Sequence, residues 1–475
     1  MSNRVLRVRN GVADLHRRIA AIQAELEIEP EFPLDVVAAA RAAATAARLP
    51  DLDRTDIPFV TLDPLGSRDL DQALHLERDG GGYVVHYAIA DLGAFVDPGG
   101  LLDLEAHRRG ESLYGADSLV PLHPVELSEG AASLLPGQVR PAFLWTISLD
   151  AEGVQTDARV ERALVRSREQ LDYASAQGRV DRGEPGEVLA LLAEVGRLRI
   201  HQEALRGGVN LPMPEQVVDC STTPWRLEFR ELLDVEAWNA QISLLTGFAA
   251  ASMMVYGRVG ILRTLPPPAP ETVTRLHRTA RALGIDWPAE QTFPDFIRSL
   301  DPCKPEHEAM AVACTALLRG AGYAAFDGEL PAQPEHAALA SEYAHVTAPL
   351  RRLVDRYGLE VCAALCAGAE VPGWVREGLH ALPETMQRSN RLASAYENAV
   401  IDLVEAATLQ DRTGERFAGV VVAATRDDPR EGEAVVREPA VEAKVRGEQP
   451  LPVGEDVELV LAEADLDTRR VRFTL

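Results

Sequence analysis

Apolar positions between residues 59 and 91 fall in short runs cut by charge. Phe59-Val-Thr-Leu62 is bounded by Asp63 and then by Pro64-Leu-Gly66, which predicts a strand ending at Asp63 and a turn after it. Tyr83-Val-Val-His-Tyr-Ala-Ile-Ala90 is a second strand-like run and delivers Asp91 at its end. Further on the period changes. Met386, Leu392, Tyr396, Val400 and Leu403 recur at helical spacing and predict a long amphipathic helix. Residues 12–26 and 34–44 also have helical composition, with Pro30 and Pro33 marking a break between them. From about Arg416 to the last residue the chain turns to short runs: Phe417–Val422, Ala434–Val436, Val441–Val445, Asp456–Leu461 and Arg470–Phe473. Such spacing suits a small five-stranded barrel of the OB type. Pro266–Pro270 is a rigid connector, and no internal repeat is visible.

The chemistry concentrates where the first strand ends. Asp63, Asp69 and Asp71 fall within nine positions, and the spacing of two places Asp69 and Asp71 on one face of an extended chain. Carboxylates that converge repel; two of them ~4 Å apart cost roughly 4 kcal/mol at an effective dielectric near 20. A hard, oxygen-seeking cation removes that cost, and Mg²⁺ or Mn²⁺ suits carboxylate and water ligands. Sites of this kind activate water and stabilise a leaving oxygen in phosphoryl transfer. The residues alone leave open a solvated acidic turn. A calcium loop of the EF-hand type fits poorly, because Ala73 and Leu74 would stand where a ligand and the turn glycine belong.

Other segments narrow the choice. Tyr114, Val120–Leu127, Val139-Arg-Pro141, Gly260–Pro268, Tyr343-Ala-His-Val-Thr-Ala-Pro-Leu-Arg-Arg352 with Asp355, and Arg391–Glu397 follow in order. In this order and at these spacings the chain resembles the catalytic domain of the ribonuclease II/ribonuclease R (RNB-type) family over roughly residues 50–410. The aspartate cluster and the Thr347–Arg352 segment are its most specific pieces. The resemblance implies an α+β fold in three parts. A small helical N-terminal module (1–50) precedes a large catalytic domain built on a mixed sheet with surrounding helices (51–412). A C-terminal OB-fold β-barrel that binds RNA (413–475) follows. Family members instead begin with small β-barrels, so the helical N-terminus is a departure.

What the resemblance implies for function is a metal-dependent, processive 3′-to-5′ exoribonuclease that hydrolyses RNA to nucleoside 5′-monophosphates. Asp63, Asp69 and Asp71 would hold Mg²⁺, or Mn²⁺, with Gln72 standing where the family has a fourth aspartate. Glutamine keeps an oxygen ligand but is neutral, so a weak or outer contact is expected of it. Arg351 matches the catalytic arginine, whose planar fork suits two phosphate oxygens at once. Arg352 is a weaker substrate contact, and Glu397 matches a glutamate that assists cleavage. Tyr114 would stack a nucleotide near the 3′ end, and Leu211 stands where the family has a partner phenylalanine. Asp91 reads as a supporting carboxylate. The alternative is a catalytically impaired protein of the same fold that sequesters RNA 3′ ends; a DNA-preferring nuclease is a further rival.

Composition changes this picture in one respect. The chain has 475 residues and a formal net charge of −25, which by itself argues against a nucleic-acid partner. Reconciling the two requires a locally basic channel, and Arg351, Arg352, Arg356, Arg388 and Arg391 are the concentration expected to line it. Five cysteines form no Cys-x-x-Cys pair and read as buried free thiols. The apolar stretches are broken by charge before ~18 residues and no apolar leader opens the sequence. The expectation is a cytoplasmic monomer, away from membranes, acting on single-stranded RNA with a free 3′ end.

Overall fold

The structure is a computed structural model that describes residues 12–116, 118–211, 213–220, 225–288 and 290–475. Its first sheet is made of β1 (Phe59–Asp63), β2 (Gln72–Asp79), β3 (Gly82–Ala90), β4 (Val139–Leu149) and β5 (Gln155–Asp172). The expected mixed sheet closes on itself as a barrel in the order β1-β2-β3-β4-β5. Closure is parallel, from Phe59 opposite Ser167 to Asp63 opposite Asp172, with a bulge between Phe59 and Val60. The remaining pairs are antiparallel.

Because β3 is buried along nearly its whole length, its sequence is a continuous apolar run rather than an alternation. Val85, Tyr87 and Ile89 share one core with Leu74, Leu76, Trp145 and Ile147. Ala88 and Ala90 face the other, with Ala73, Ala142 and Ala163, where small side chains let neighbouring elements come close. The β2–β3 turn is tight, with Asp79 opposite Gly82. Gly82 is obligatory there: a Cβ would sit 2.0 Å from the Leu149 carbonyl oxygen.

Helices cover the barrel. The helix Asp234–Gly257 is apolar and long enough, by length and composition, to cross a membrane. Here it packs inside the molecule, with Trp238, Ile242, Leu245 and Met254 in the main core. Its Trp238 lies on Gly196 of the helix Gly186–Arg206, where a Cβ would approach to 2.4 Å.

The second barrel is formed by the strands Arg416–Ala424, Glu431–Val436, Val441–Arg446, Asp456–Asp465 and Arg470–Thr474, the last two exchanged in spatial order. Val441–Arg446 alternates buried and exposed residue by residue, as a half-buried strand should. Phe417 and Phe473 are the only aromatic residues after position 412, and both are spent in the core, edge to face with centroids 5.7 Å apart. The outside of this barrel therefore offers no base-stacking ring.

The N-terminal segment is helical, α1 (Val12–Glu25) and α2 (Leu34–Thr45), but the two helices serve different cores. Leu15, Ile19 and Ile22 join the core of the C-terminal barrel and the long helix Leu382–Leu409. Val36 and Ala40 join the alanine-lined face of the first barrel. Cys314 and Cys362 are buried, whereas Cys303 and Cys366 are exposed, contrary to expectation.

Candidate active site

Backbone hydrogen bonds fix the aspartate segment before any side chain is considered. Ser67 N–H donates to the Pro64 carbonyl at 3.1 Å, with Gly66 at φ +86°, a conformation suited to glycine in this turn. Ser133 then grips the strand from the side: its Oγ accepts from Leu70 N–H at 3.0 Å and donates to the Arg68 carbonyl at 2.6 Å. Ala90 N–H donates to the Asp71 carbonyl at 2.9 Å. Asp71 is thus delivered into the interior, 2% exposed.

The segment Thr347–Arg352, which leads into the helix Leu353–Cys366, meets it there. Leu350 N–H donates to Asp71 Oδ1 at 2.7 Å and Arg351 Nε to Asp71 Oδ2 at 2.8 Å. The segment is itself held by Asp355, which accepts from Ala348 N–H at 2.7 Å and from Arg352 Nε and Nη2 at 2.9 and 2.8 Å. Tyr114 arrives on the same backbone network, since Ser112 N–H donates to the Arg351 carbonyl at 2.9 Å and Leu353 N–H to the Gly110 carbonyl at 2.9 Å. Tyr114 is 47% exposed, and its hydroxyl accepts from the Arg351 guanidinium.

Electrostatics single out the carboxylates. Burial pushes Asp63 up to about 7, opposed by Arg351 and reinforced by Asp71 and Asp69. Burial likewise pushes Asp71 up to about 7 against Arg351 and the Leu350 N–H, and raises Asp69. Burial also raises Tyr114, to about 12. Desolvation disfavours the Arg351 charge, but Asp71, with Tyr114 and Asp69, outweighs it and holds the guanidinium above its usual range.

Asp63 Oδ2 is buried without a hydrogen-bond partner. Among the described residues, no three His, Cys, Asp or Glu side chains stand close enough to hold a metal ion as they lie. The donor set nevertheless fits a hard divalent cation: it is all carboxylate oxygen, one oxygen is orphaned, and the charge is costly without compensation.

Several expected residues lie elsewhere or act differently. Gln72 is turned away from a ligand role, its Nε2 donating to the Thr347 carbonyl at 2.7 Å and its Oε1 accepting from the Tyr87 hydroxyl. Arg352 is spent on Asp355. Arg356 is buried on Asp103 at 2.5 Å, and Arg388 donates to the carbonyls of His107 and Arg108. Arg352, Arg356 and Arg388 are thus engaged by other partners, and among the described residues Arg351 alone of the five bonds to the aspartate cluster. Glu397 lies on the exposed side of its helix, without hydrogen bond or ion pair among the described residues. Leu211 packs with the cluster of Leu276, Phe296 and Met310 and lines a cleft of about 1100 Å³ beside the C-terminal barrel. Asp91 is indeed a supporting group, bonded to Arg162 at 2.8 Å, which also reaches Glu360 at 2.5 Å.

Three residues near Asp63 were not foreseen. Tyr173 is raised by burial and by Asp63, and its hydroxyl pairs with Asn239, which in turn donates to the Leu62 carbonyl at 3.3 Å. Tyr87 is raised well above its usual range, first by burial and then by Asp63. Only Tyr87 carried a signal, as a polar tip in the apolar run of β3.

Comparison with known proteins agrees with this fold. Residues 52–363 match the family model described as RNB domain, and residues 415–475 match the RNase II-type exonuclease C-terminal S1 domain. Ribonuclease R of Escherichia coli is 26% identical over 402 residues, covering 79% of this chain and 49% of that protein. Exosome complex exonuclease RRP44 homolog A of Arabidopsis thaliana is 27% identical over 357 residues, covering 71% of this chain and 36% of that one. The chain thus spans half or less of the length of these relatives. Among solved structures, Mycoplasma genitalium RNase R in complex with ribose methylated single-stranded RNA superposes with a TM-score of 0.86 at 20% identity, over 97% of this chain and 78% of that one. Yeast Ssd1, a pseudonuclease, superposes with a TM-score of 0.73 at 15% identity, over 97% and 58%.

Proposed function

This chain belongs to the RNB-domain family, and we propose that it is a metal-dependent 3′-to-5′ exoribonuclease acting processively on single-stranded RNA. The observation that carries the reading is the meeting of Asp71 with Leu350 and Arg351, which ties an arginine fork to the buried carboxylate of the aspartate segment. Hydrolysis adds water to the phosphorus of the terminal linkage and breaks its bond to the 3′-oxygen. The released nucleotide carries a 5′-phosphate, and the shortened strand ends in a 3′-hydroxyl.

Asp63 and Asp69, with Asp71 beside them, would hold Mg²⁺ or Mn²⁺, which supplies Lewis acidity and charge compensation when bound. Arg351, kept charged by Asp71, braces the non-bridging phosphate oxygens and offsets charge that builds up at the transition state. Tyr114, with its ring accessible and its hydroxyl on Arg351, stacks the base next to the phosphate that Arg351 holds.

A second reading is a protein that binds RNA 3′ ends without cutting them. Gln72 favours it, because the site has one carboxylate fewer than the family pattern and the glutamine is already engaged. The test is a 3′-tailed RNA labelled at its 5′ end, incubated with Mg²⁺ or Mn²⁺, beside Asp71→Asn and a DNA oligonucleotide of the same sequence. Conversion of full-length RNA to a short labelled end product with release of mononucleotide, absent from the variant and from DNA, supports the exoribonuclease. RNA that shifts in a binding assay yet stays intact in either metal favours the binding protein.

A further inference from the structure

Position 72 invites a metal-ligand role because of its neighbours, yet its side chain is committed at both ends. The β2–β3 register puts Gln72 opposite Ile89 and Leu74 opposite Tyr87, so Gln72 and Tyr87 are diagonal neighbours on one face. Tyr87 is fully buried, and its hydroxyl donates to Gln72 Oε1. That bond fixes which end of the amide faces outward, leaving Nε2 to donate to the Thr347 carbonyl at 2.7 Å. Thr347 is buried too, and its Oγ1 shares a hydrogen bond of 2.9 Å with Ser243 Oγ on the helix Asp234–Gly257. Asp71 grips Leu350 and Arg351 from the adjacent position. Two consecutive residues at the entry to β2 therefore hold both ends of the segment Thr347–Arg351.

We infer that Gln72 is a positioning residue for Arg351, a strap of Tyr87, Gln72 and Thr347 that replaces a ligand contact. Only an amide performs this task at this length. It accepts from Tyr87 and donates to Thr347 simultaneously, whereas a carboxylate would turn oxygen lone pairs against the Thr347 carbonyl. Aspartate is also one methylene shorter than glutamine. A neutral side chain adds no further charge beside Asp63, Asp69 and Asp71, whose burial is already costly. Without the strap, Thr347 keeps its hydroxyl bond to Ser243 but loses its carbonyl's tie to β2. Arg351 then samples a wider range around Asp71.

This inference rests on the exoribonuclease reading, and its test separates the two. Kinetics on tailed RNA and Mn²⁺ binding without RNA, read by electron paramagnetic resonance, are measured for wild type, Q72A, Q72E, Y87F, R351A and Q72A/R351A. The expectation for Q72A and Q72E is a fall in kcat of about tenfold or more, with KM changed less than about threefold. Mn²⁺ affinity should stay within about twofold of wild type in Q72A, and Q72A should cost little in the R351A background. Y87F, which frees the amide to flip, should give a smaller loss of the same kind. Should Q72A melt below the assay temperature, Y87F carries the test, since it keeps Gln72 in place and the core filled.

Weakening of Mn²⁺ binding by about tenfold in Q72A, or an undiminished kcat loss in the R351A background, would overturn the strap. A wild-type chain that shortens no RNA would sink the functional reading alone. The Mn²⁺ measurement then still decides whether position 72 is a ligand.

Discussion

Arg351 donates through Nε to Asp71 Oδ2 at 2.8 Å across 280 residues of chain, and the Leu350 N–H donates to the other oxygen of the same carboxylate at 2.7 Å. One side chain just before β2 thus organises both the backbone and the guanidinium of a distant segment. The side chain of Arg351 remains 41% exposed, so the fork is held from behind and open in front.

Replacing Arg351 by lysine keeps the charge but loses this geometry, because an ammonium cannot bond Asp71 sideways and span two phosphate oxygens. R351K is expected to lower kcat by about 10²–10³-fold with a smaller effect on KM. Single-turnover cleavage of a tailed RNA measures it; a loss under about threefold would remove Arg351 from the chemistry.

Asp63 has an orphaned buried oxygen and is held near neutrality by its surroundings. Adding Mn²⁺ or Mg²⁺ should therefore stabilise the fold, by about 2.7 kcal/mol at a hundred times the dissociation constant. D63N should abolish both this thermal shift and RNA cleavage, and chelation should reverse the shift in wild type. An unchanged shift in D63N would place the cation elsewhere.

Tyr114 presents its ring and ties its hydroxyl to Arg351. Base–aromatic stacking is worth about 1–3 kcal/mol per base, so Y114A should weaken binding of short RNA by about 5–150-fold. Y114F keeps the ring and should bind nearly as wild type. Equal losses in the two variants would mean that the hydroxyl, not stacking, does the binding.

Glu405 lies buried between the long helix and the C-terminal barrel, where Gln216 Nε2 and Glu442 N–H donate to it at 2.7 and 2.8 Å. Burial pushes it up from 4.5 to about 8. The folded chain therefore keeps a proton that the unfolded chain releases. The resulting stability is full below about pH 4.5 and is lost as pH rises towards about 8. E405Q retains the acceptor oxygen and should be the more stable protein by roughly 1–3 kcal/mol at about pH 9, with little difference at about pH 5. Urea unfolding at both values checks it; parallel pH profiles would refute the assignment.

Much of the site was legible because chemistry needs particular residues at particular spacings. Asp63, the turn at Gly66 and the spacing of Asp69 and Asp71 follow from short-range rules, and the Thr347–Arg352 segment from resemblance. Which arginine faced the carboxylates was half legible: neighbours on a turn diverge, and Asp355, three positions on, was available to take Arg352. Gln72 misled because glutamine carries an oxygen like the residue it replaces, and its partners Tyr87 and Thr347 come from two other elements. Of the five arginines expected along a basic channel, Arg356 and Arg388 are taken by an acid and a carbonyl distant in sequence, Asp103 and His107, which no local pattern shows. The barrels were visible as strand counts, but closure of the first depends on a parallel β1–β5 pairing that no local pattern announces.

The helix α1 has consequences for how this chain comes to exist. Its Leu15, Ile19 and Ile22 share a core with strands that lie more than 400 positions later, and Arg18 reaches Asp467 across 449 residues. In folding, α1 can settle only once these distant segments reach it, a contact of high sequence separation that is slow to form. A break in the last sixty residues would accordingly be felt at the opposite end of the sequence. It would strip the barrel's share of the cover from Leu15, Ile19 and Ile22, leaving them the long helix to pack on.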